Sequence, residues 1–297
     1  MARAKGGEPL AVSGRLTQVP GLQWLNHVRH ASLDHAYGSR VAAGQDAVVR
    51  ALRERGARTL ALTIAYNAPE AVALLADSMA RFLPHTPLLV CDTSCDAEAR
   101  TRHAVLAGER RLPYLALPPV PFTHGLSARI SSVAANWVLQ NIIRPVGPGA
   151  FALLDQGFVA LKPMDLAACV ARQPVYGVRR WSRRAKAWYL WPGFCVFDGG
   201  LADMALDFGP DRLLDTDAGG RNWYALYRDL DAEALVWPHL RTVSMPEADG
   251  GWSAPKLLVD GWLHVGGLSG LDAARRMFDA DPDGLLSRLK DVEPPGA

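Results

Sequence analysis

A chain of 297 residues, 49% hydrophobic and 21% charged, carries enough apolar material for one large domain or two small ones with a real core. A formal net charge of +2 argues against a global pull toward nucleic acid or an anionic membrane, and no apolar run approaches the ~20 residues that span a bilayer. The four cysteines (Cys91, Cys95, Cys169, Cys195) form no C-x-x-C pair, which argues against structural zinc and a disulfide framework and fits a reducing cytoplasm.

Met1 to Pro9 are polar and lack the apolar core of a signal peptide. Residues 1–57 read as an N-terminal tail and helical extension. Leu22 to Ala42 is a helix of mixed spacing, and its His27 and His30 are incidental because no carboxylate completes a ligand set. Gln45 to Arg55 is amphipathic, with Gly56 as its C-cap. From Arg58 the pattern changes. Thr59 to Ala65 reads as a buried strand ending at Tyr66-Asn67-Ala68-Pro69, and Pro69 opens a helix with Ala71, Leu74, Leu75, Met79 and Phe82 on its apolar face. A second strand, Pro87 to Cys91, ends at Asp92-Thr93-Ser94-Cys95-Asp96, and a polar helix runs from Ala97 to Gly108. Leu112 to Leu117 is a shorter strand, and His124 to Asn141 a helix burying Ile130, Val133, Ala134, Trp137 and Val138. The apolar run Phe151 to Leu154 then stops at Asp155-Gln156-Gly157. Strand–helix alternation argues for an α/β protein with a parallel sheet, and ligands of such sheets bind outside the carboxyl ends of the strands. A plain strand-end turn uses the same residue types.

Beyond Lys162-Pro163 the register is less clean. Arg179, Arg180, Arg183, Arg184 and Lys186 make a basic tract that runs into Trp188-Tyr189-Leu190-Trp191-Pro192-Gly193-Phe194. Nucleic-acid binding, acceptor binding and a solvated hairpin are its three readings, and the near-neutral net charge weighs against the first. Asp215-Thr216-Asp217-Ala218-Gly219-Gly220 leads into a helix around Tyr224 to Leu230, and Trp262-Leu263-His264-Val265-Gly266-Gly267 makes a late glycine-rich turn. No strand is followed by G-x-G-x-x-G or G-x-x-x-x-G-K-[ST], and no G-x-S-x-G elbow is present, which weakens dinucleotide, P-loop and hydrolase readings.

The order of these segments resembles a glycosyltransferase of the GT-A fold, family-two type. Asp92-Thr93-Ser94-Cys95-Asp96 resembles that family's D-x-S-x-D strand end, Tyr66-Asn67-Ala68-Pro69-Glu70 its first turn, and Leu154-Asp155-Gln156-Gly157 takes the place of its D-x-D. The resemblance covers residues 58–265. It implies a GT-A-like (Rossmann-like), mostly parallel sheet flanked by helices over 58–290, with a nucleotide-binding half at 58–160 and an acceptor-side half at 161–290. It implies that Tyr66, Asn67, Asp92, Ser94, Asp96, Asp155 and Gln156 hold a nucleotide-sugar donor. Asp155, with His264, would hold Mg²⁺ or Mn²⁺, although Gly157 stands where the second acid of D-x-D belongs. Trp191, Gly193, Phe194 and Asp217 would face a glycan or lipid-linked acceptor, and Asp215 would be the base of an inverting transfer. Such an enzyme works in the cytoplasm, with peripheral membrane contact at most and no nucleic acid. A donor-binding protein without turnover and a nucleotidyltransferase are the alternatives.

Overall fold

The computed structural model describes residues 20–56, 58–120, 127–182, 185–211, 214–247, 250–266 and 270–293. Helices α1 (Pro20–Gly38) and α2 (Gln45–Glu54) precede strand β1 (Thr59–Ala65), helix α3 (Pro69–Phe82), β2 (Leu88–Asp92), α4 (Ala97–Glu109) and β3 (Tyr114–Ala116). Helix α5 (Ser127–Val138) loosens into a π turn (Leu139–Ile143) and a last turn α6 (Arg144–Val146), which Gly147 ends at φ 66°. The expected start of α5 at His124 lies outside the described residues. Strands β4 (Ala150–Leu154) and β5 (Phe158–Ala160) follow, then the short helix α7 (Leu166–Val170) and the hairpin strands β6 (Val175–Ser182) and β7 (Ala187–Asp198). A single-turn α8 (Asn222–Ala225), strands β8 (Leu240–Ser244), β9 (Lys256–Val259) and β10 (Trp262–His264), helix α9 (Leu271–Ala280) and β11 (Lys290–Asp291) complete the chain.

The molecule is a mixed α/β protein built on a six-stranded sheet of order β3-β2-β1-β4-β7-β6. β1 pairs in parallel with β2 and β4, and β2 with β3, whereas β7 runs antiparallel to β4 and to β6. Strand alternation divides the core. Ala61 and Ala65 of β1 face a cluster with Leu74, Leu75 and Met79 of α3, while Leu60 and Leu62 face Trp137, Val138 and Ile142 on the other side. Helices thus cover both faces, which is why β1, β2 and β4 are near-continuous apolar runs instead of alternating ones.

A second, five-stranded sheet of order β11-β8-β9-β10-β5 was not foreseen in the sequence. It is antiparallel throughout and is made largely from the last third of the chain. The helix expected over Tyr224 to Leu230 is broken: α8 covers one turn and a 3₁₀ turn takes Tyr227–Asp229. The first helix ends at Gly38, short of Ala42, where an added Cβ would meet Gln140 Oε1 at 2.8 Å. Among the described residues, no helix is long and apolar enough to cross a membrane.

Candidate functional site at the strand ends

Because β2, β1 and β4 are adjacent and parallel, their carboxyl ends open at one edge of the sheet. The turns that leave them are tied together by side chains. Gln156, just past β4, accepts the Tyr66 N–H at its Oε1 (2.9 Å) and donates Nε2 to the Tyr66 carbonyl (3.1 Å), so it closes like a backbone pair on the end of β1. Asn67 adopts a left-handed φ of 49°, which asparagine tolerates better than most residues. Its N–H donates to Ser94 Oγ (2.9 Å) and its Oδ1 accepts the Asp96 N–H (3.2 Å), which joins β1 to β2.

This bracing gives the residues expected at the β2 end internal partners of their own. The Asp92 side chain is fully buried. Its Oδ1 accepts the Ser94 N–H (2.8 Å), Oδ2 accepts the Tyr114 hydroxyl (2.8 Å), and His103 Nδ1 stands 3.5 Å away. Burial pushes its carboxyl upward, and the contacts from His103, Ser94 and Tyr114 outweigh that and hold it below the usual range. Asp92 therefore braces the strand end from inside, with both side-chain oxygens met by internal partners. Ser94, also buried, is spent on Asn67 and His103. Asp96 stays exposed and caps α4 by accepting the Glu98 N–H at 2.8 Å.

Asp155 occupies the β4 end. Its N–H donates to the Gly193 carbonyl of β7 (2.7 Å), and its Oδ1 accepts the Gly157 N–H (2.8 Å). His264 Nε2 lies 3.2 Å from the same oxygen, with 43% of the Asp155 side chain and 21% of the His264 side chain exposed. Pairing of β10 with β5 sets this contact, since His264 faces Phe158 in the register and Phe158 follows the Asp155 turn directly. Burial raises the Asp155 pKa, but His264 and the Gly157 N–H more than offset it and keep the carboxyl ionised below its ordinary range. The imidazole is held between Phe158 (centroids 4.7 Å) and Trp191 (5.1 Å, edge to face). A Cβ on Gly157 would stand 3.1 Å from both Asp155 Oδ1 and the Gly266 carbonyl, so there is little room for an acid at that position. Gly267 lies outside the described residues.

The Trp191 indole folds back over Gly193, where an added Cβ would come within 2.2 Å of the ring. Only glycine seats it there. Phe194, expected on the acceptor side, is instead fully buried and packs on Phe158 (5.3 Å) and Trp262 (5.7 Å). Strand alternation turns it inward, so it supports the site from beneath.

Asp215 and Asp217 also separate. Both are exposed, but Asp215 sits in a left-handed turn at φ 52° away from the cavity lining, while Asp217 is among the residues lining a cavity of about 300 Å³ with Tyr66, Asp155, Gln156, Trp191 and Gly193. The loop carrying Asp217 is pinned by its own N–H to the Tyr189 hydroxyl (3.3 Å) and by the Gly219 N–H to the Phe208 carbonyl (2.7 Å). Gly219 takes φ 90° with its missing Cβ aimed 2.3 Å from the Leu190 carbonyl, so the turn admits no side chain.

A second cavity of about 600 Å³ adjoins the first, sharing Tyr66 and Ile130, and is lined by Ser94, Cys95, Asp96 and Arg100. Neither Cys95 nor Arg100 is marked as a site residue by the sequence pattern. Cys95 is exposed, and the Tyr66 hydroxyl (3.3 Å) and the Asn67 amide (3.2 Å) at its sulfur lower its pKa. Arg100 donates to the Ser94 carbonyl at 3.0 Å. Cys95 lay inside the Asp92–Asp96 stretch already noted; Arg100, one turn into α4, carried no local signal.

Among the described residues no group of three or more His, Cys, Asp and Glu side chains converges on one point. Asp155 and His264 offer one carboxylate and one imidazole 3.2 Å apart, donor types that could hold a hard divalent cation taking its remaining oxygens from phosphate or water.

No family model matches the chain, and no curated protein matches it. Among solved structures it is similar to a mannosyltransferase from Pyrobaculum calidifontis, solved in complex with GDP-mannose and Mn²⁺. The identity is 13% and the TM-score 0.37, and the match covers 64% of this chain and 61% of the other.

Proposed function

We propose that this chain is a glycosyltransferase that moves a sugar from a nucleoside-diphosphate sugar to a hydroxyl of a glycan or lipid-linked acceptor. One observation carries the reading: two adjoining cavities of about 300 and 600 Å³ meet at Tyr66, and the Asp155 carboxylate and the His264 imidazole stand together at the β4 end. The larger cavity, with Asp96 and Arg100 on its wall, has room for a nucleoside. The smaller one has room for a sugar ring, with Trp191 as a stacking wall.

Asp155 and His264 are the residues that would hold Mg²⁺ or Mn²⁺, which when bound supplies charge neutralisation for the diphosphate. The chain's own contribution to the transfer is Asp217. Its carboxylate takes the proton of the acceptor hydroxyl as that oxygen bonds to the anomeric carbon. The bond from that carbon to the diphosphate oxygen breaks, and its electron pair leaves with the nucleoside diphosphate. Attack opposite the leaving group inverts the centre. Asp217 takes the part first expected of Asp215 because it lines the cavity.

The test is release of nucleoside diphosphate from a panel of nucleotide sugars with Mn²⁺ and mixed acceptors. Asp217→Asn should lower turnover by about 10²–10⁴-fold with donor affinity nearly intact; equal loss of both would sink the base assignment. The crowding at Gly157 favours a second reading, donor binding without transfer. Stabilisation by the donor with no release in any acceptor mixture would establish it.

A further inference from the structure

The basic tract on the β6–β7 hairpin has no part in the reading above, and its arginines do different things. Alternation along β6 sends Arg179 and Arg180 to opposite faces. Arg179 is consumed internally: its guanidinium lies 5.1 Å from the Trp181 ring and 4.8 Å from the Trp237 ring, with Glu233 at 3.4 Å. Arg180 is exposed and sits over the Trp191 ring at 5.7 Å. Among the described residues it has no carboxylate partner.

Trp191 is itself a wall of the cavity that holds the Asp155 and Asp217 carboxylates, so the ring links Arg180 to the proposed transfer site. Stacking on an aromatic face leaves a guanidinium's N–H edge open, and that planar edge matches two oxygens of a phosphate. Lys186, exposed on the same hairpin, adds positive potential, which favours a doubly charged group over a carboxylate. We infer that Arg180, seated on Trp191, binds a phosphate group of the acceptor, so that the acceptor is a phosphate-bearing molecule. The assignment to the acceptor rests on the glycosyltransferase reading; the phosphate site does not.

The experiment is calorimetric titration of the full chain with inorganic phosphate in EDTA, which silences any cation at Asp155. Acetate serves as the carboxylate control, and Arg180→Gln and Arg180→Lys as variants. Thermal stabilisation by GDP and UDP with Mn²⁺ is measured on the same proteins. Phosphate should bind more tightly than acetate, weaken at least about tenfold in Arg180→Gln and partly recover in Arg180→Lys, with nucleotide stabilisation unchanged. Equal phosphate binding by wild type and Arg180→Gln, no binding at all, or equal binding of acetate would each overturn the site. Loss of nucleotide stabilisation in Arg180→Gln would overturn the acceptor assignment and place Arg180 on the donor. Failure of every nucleotide alongside Arg180-dependent phosphate binding would remove the glycosyltransferase reading and leave the phosphate site standing. Two further arms find the source of the phosphate. Arg180-dependent binding of glycerol 3-phosphate indicates a soluble phosphate, and Arg180-dependent sedimentation with phosphatidylcholine vesicles containing phosphatidic acid indicates a lipid headgroup. Absence of both counts against the site.

Discussion

Asp92 and Asp155 end strands on either side of β1, and both carboxyls are held below their ordinary range, yet their surroundings set them to different work. Asp92 has no exposed side-chain surface, and its oxygens are met by Ser94 and Tyr114 with His103 alongside. Asp92→Asn should cost about 3 kcal/mol in urea unfolding, because it breaks a buried charged contact. The pH dependence follows from the depressed pKa. The stabilisation is full above the unfolded carboxylate's range and is lost as pH falls through the folded value, so wild type and Asp92→Asn should converge in acid. The half-exposed Asp155 should behave in the opposite way. Asp155→Asn should change stability by no more than about 1 kcal/mol but remove the Mn²⁺-dependent part of nucleotide stabilisation. Cys95 gives a separate check of the same turn. It is exposed with a lowered pKa, while Cys91 and Cys195 are buried and pushed upward, so iodoacetamide near neutral pH should label Cys95 first by mass spectrometry.

At the scale of elements, the N-terminal half was legible because its signals are local. An unbroken apolar run gives β1 its bounds, and Pro69 marks the start of α3. The partnerships were not legible. Nothing in Gln156 shows that its amide closes on the Tyr66 backbone from 90 residues away. Gln156→Ala should leave those two backbone groups without that partner and cost about 1–3 kcal/mol, with weakened nucleotide stabilisation. Phe194 was misplaced for a similar reason: an aromatic beside a glycine fits either face of a strand, and only the β4–β7 register turns it inward. Asp215 and Asp217 are two residues apart in an irregular loop with no period to decide between them. The loop itself can be tested through Gly219→Ala, whose methyl would meet the Leu190 carbonyl. That variant should lower turnover by displacing Asp217 while leaving nucleotide stabilisation, made at the other strand ends, near wild type.

Across the whole molecule, the two sheets have one junction that matters for function. β4 ends the first sheet's parallel set at Asp155, three residues later β5 enters the second sheet, and β10 returns beside it with His264. A pair 109 residues apart is thereby made by one stretch of antiparallel pairing. Periodicity could not expose this arrangement, because β5 and β10 are three-residue strands that pair with each other from distant parts of the sequence. The family resemblance supplied the pairing of Asp155 with His264 as an expectation, and the geometry brings the two within 3.2 Å. The most direct measurement of the central claim is thermal stabilisation and nucleoside-diphosphate release over a panel of nucleotide sugars, with and without Mn²⁺, for wild type and Asp155→Asn. The account predicts that at least one donor stabilises the wild type, that it releases its diphosphate when Mn²⁺ and an acceptor are supplied, and that Asp155→Asn loses the metal-dependent part. No response to any nucleotide, or an unchanged response in Asp155→Asn, would contradict it.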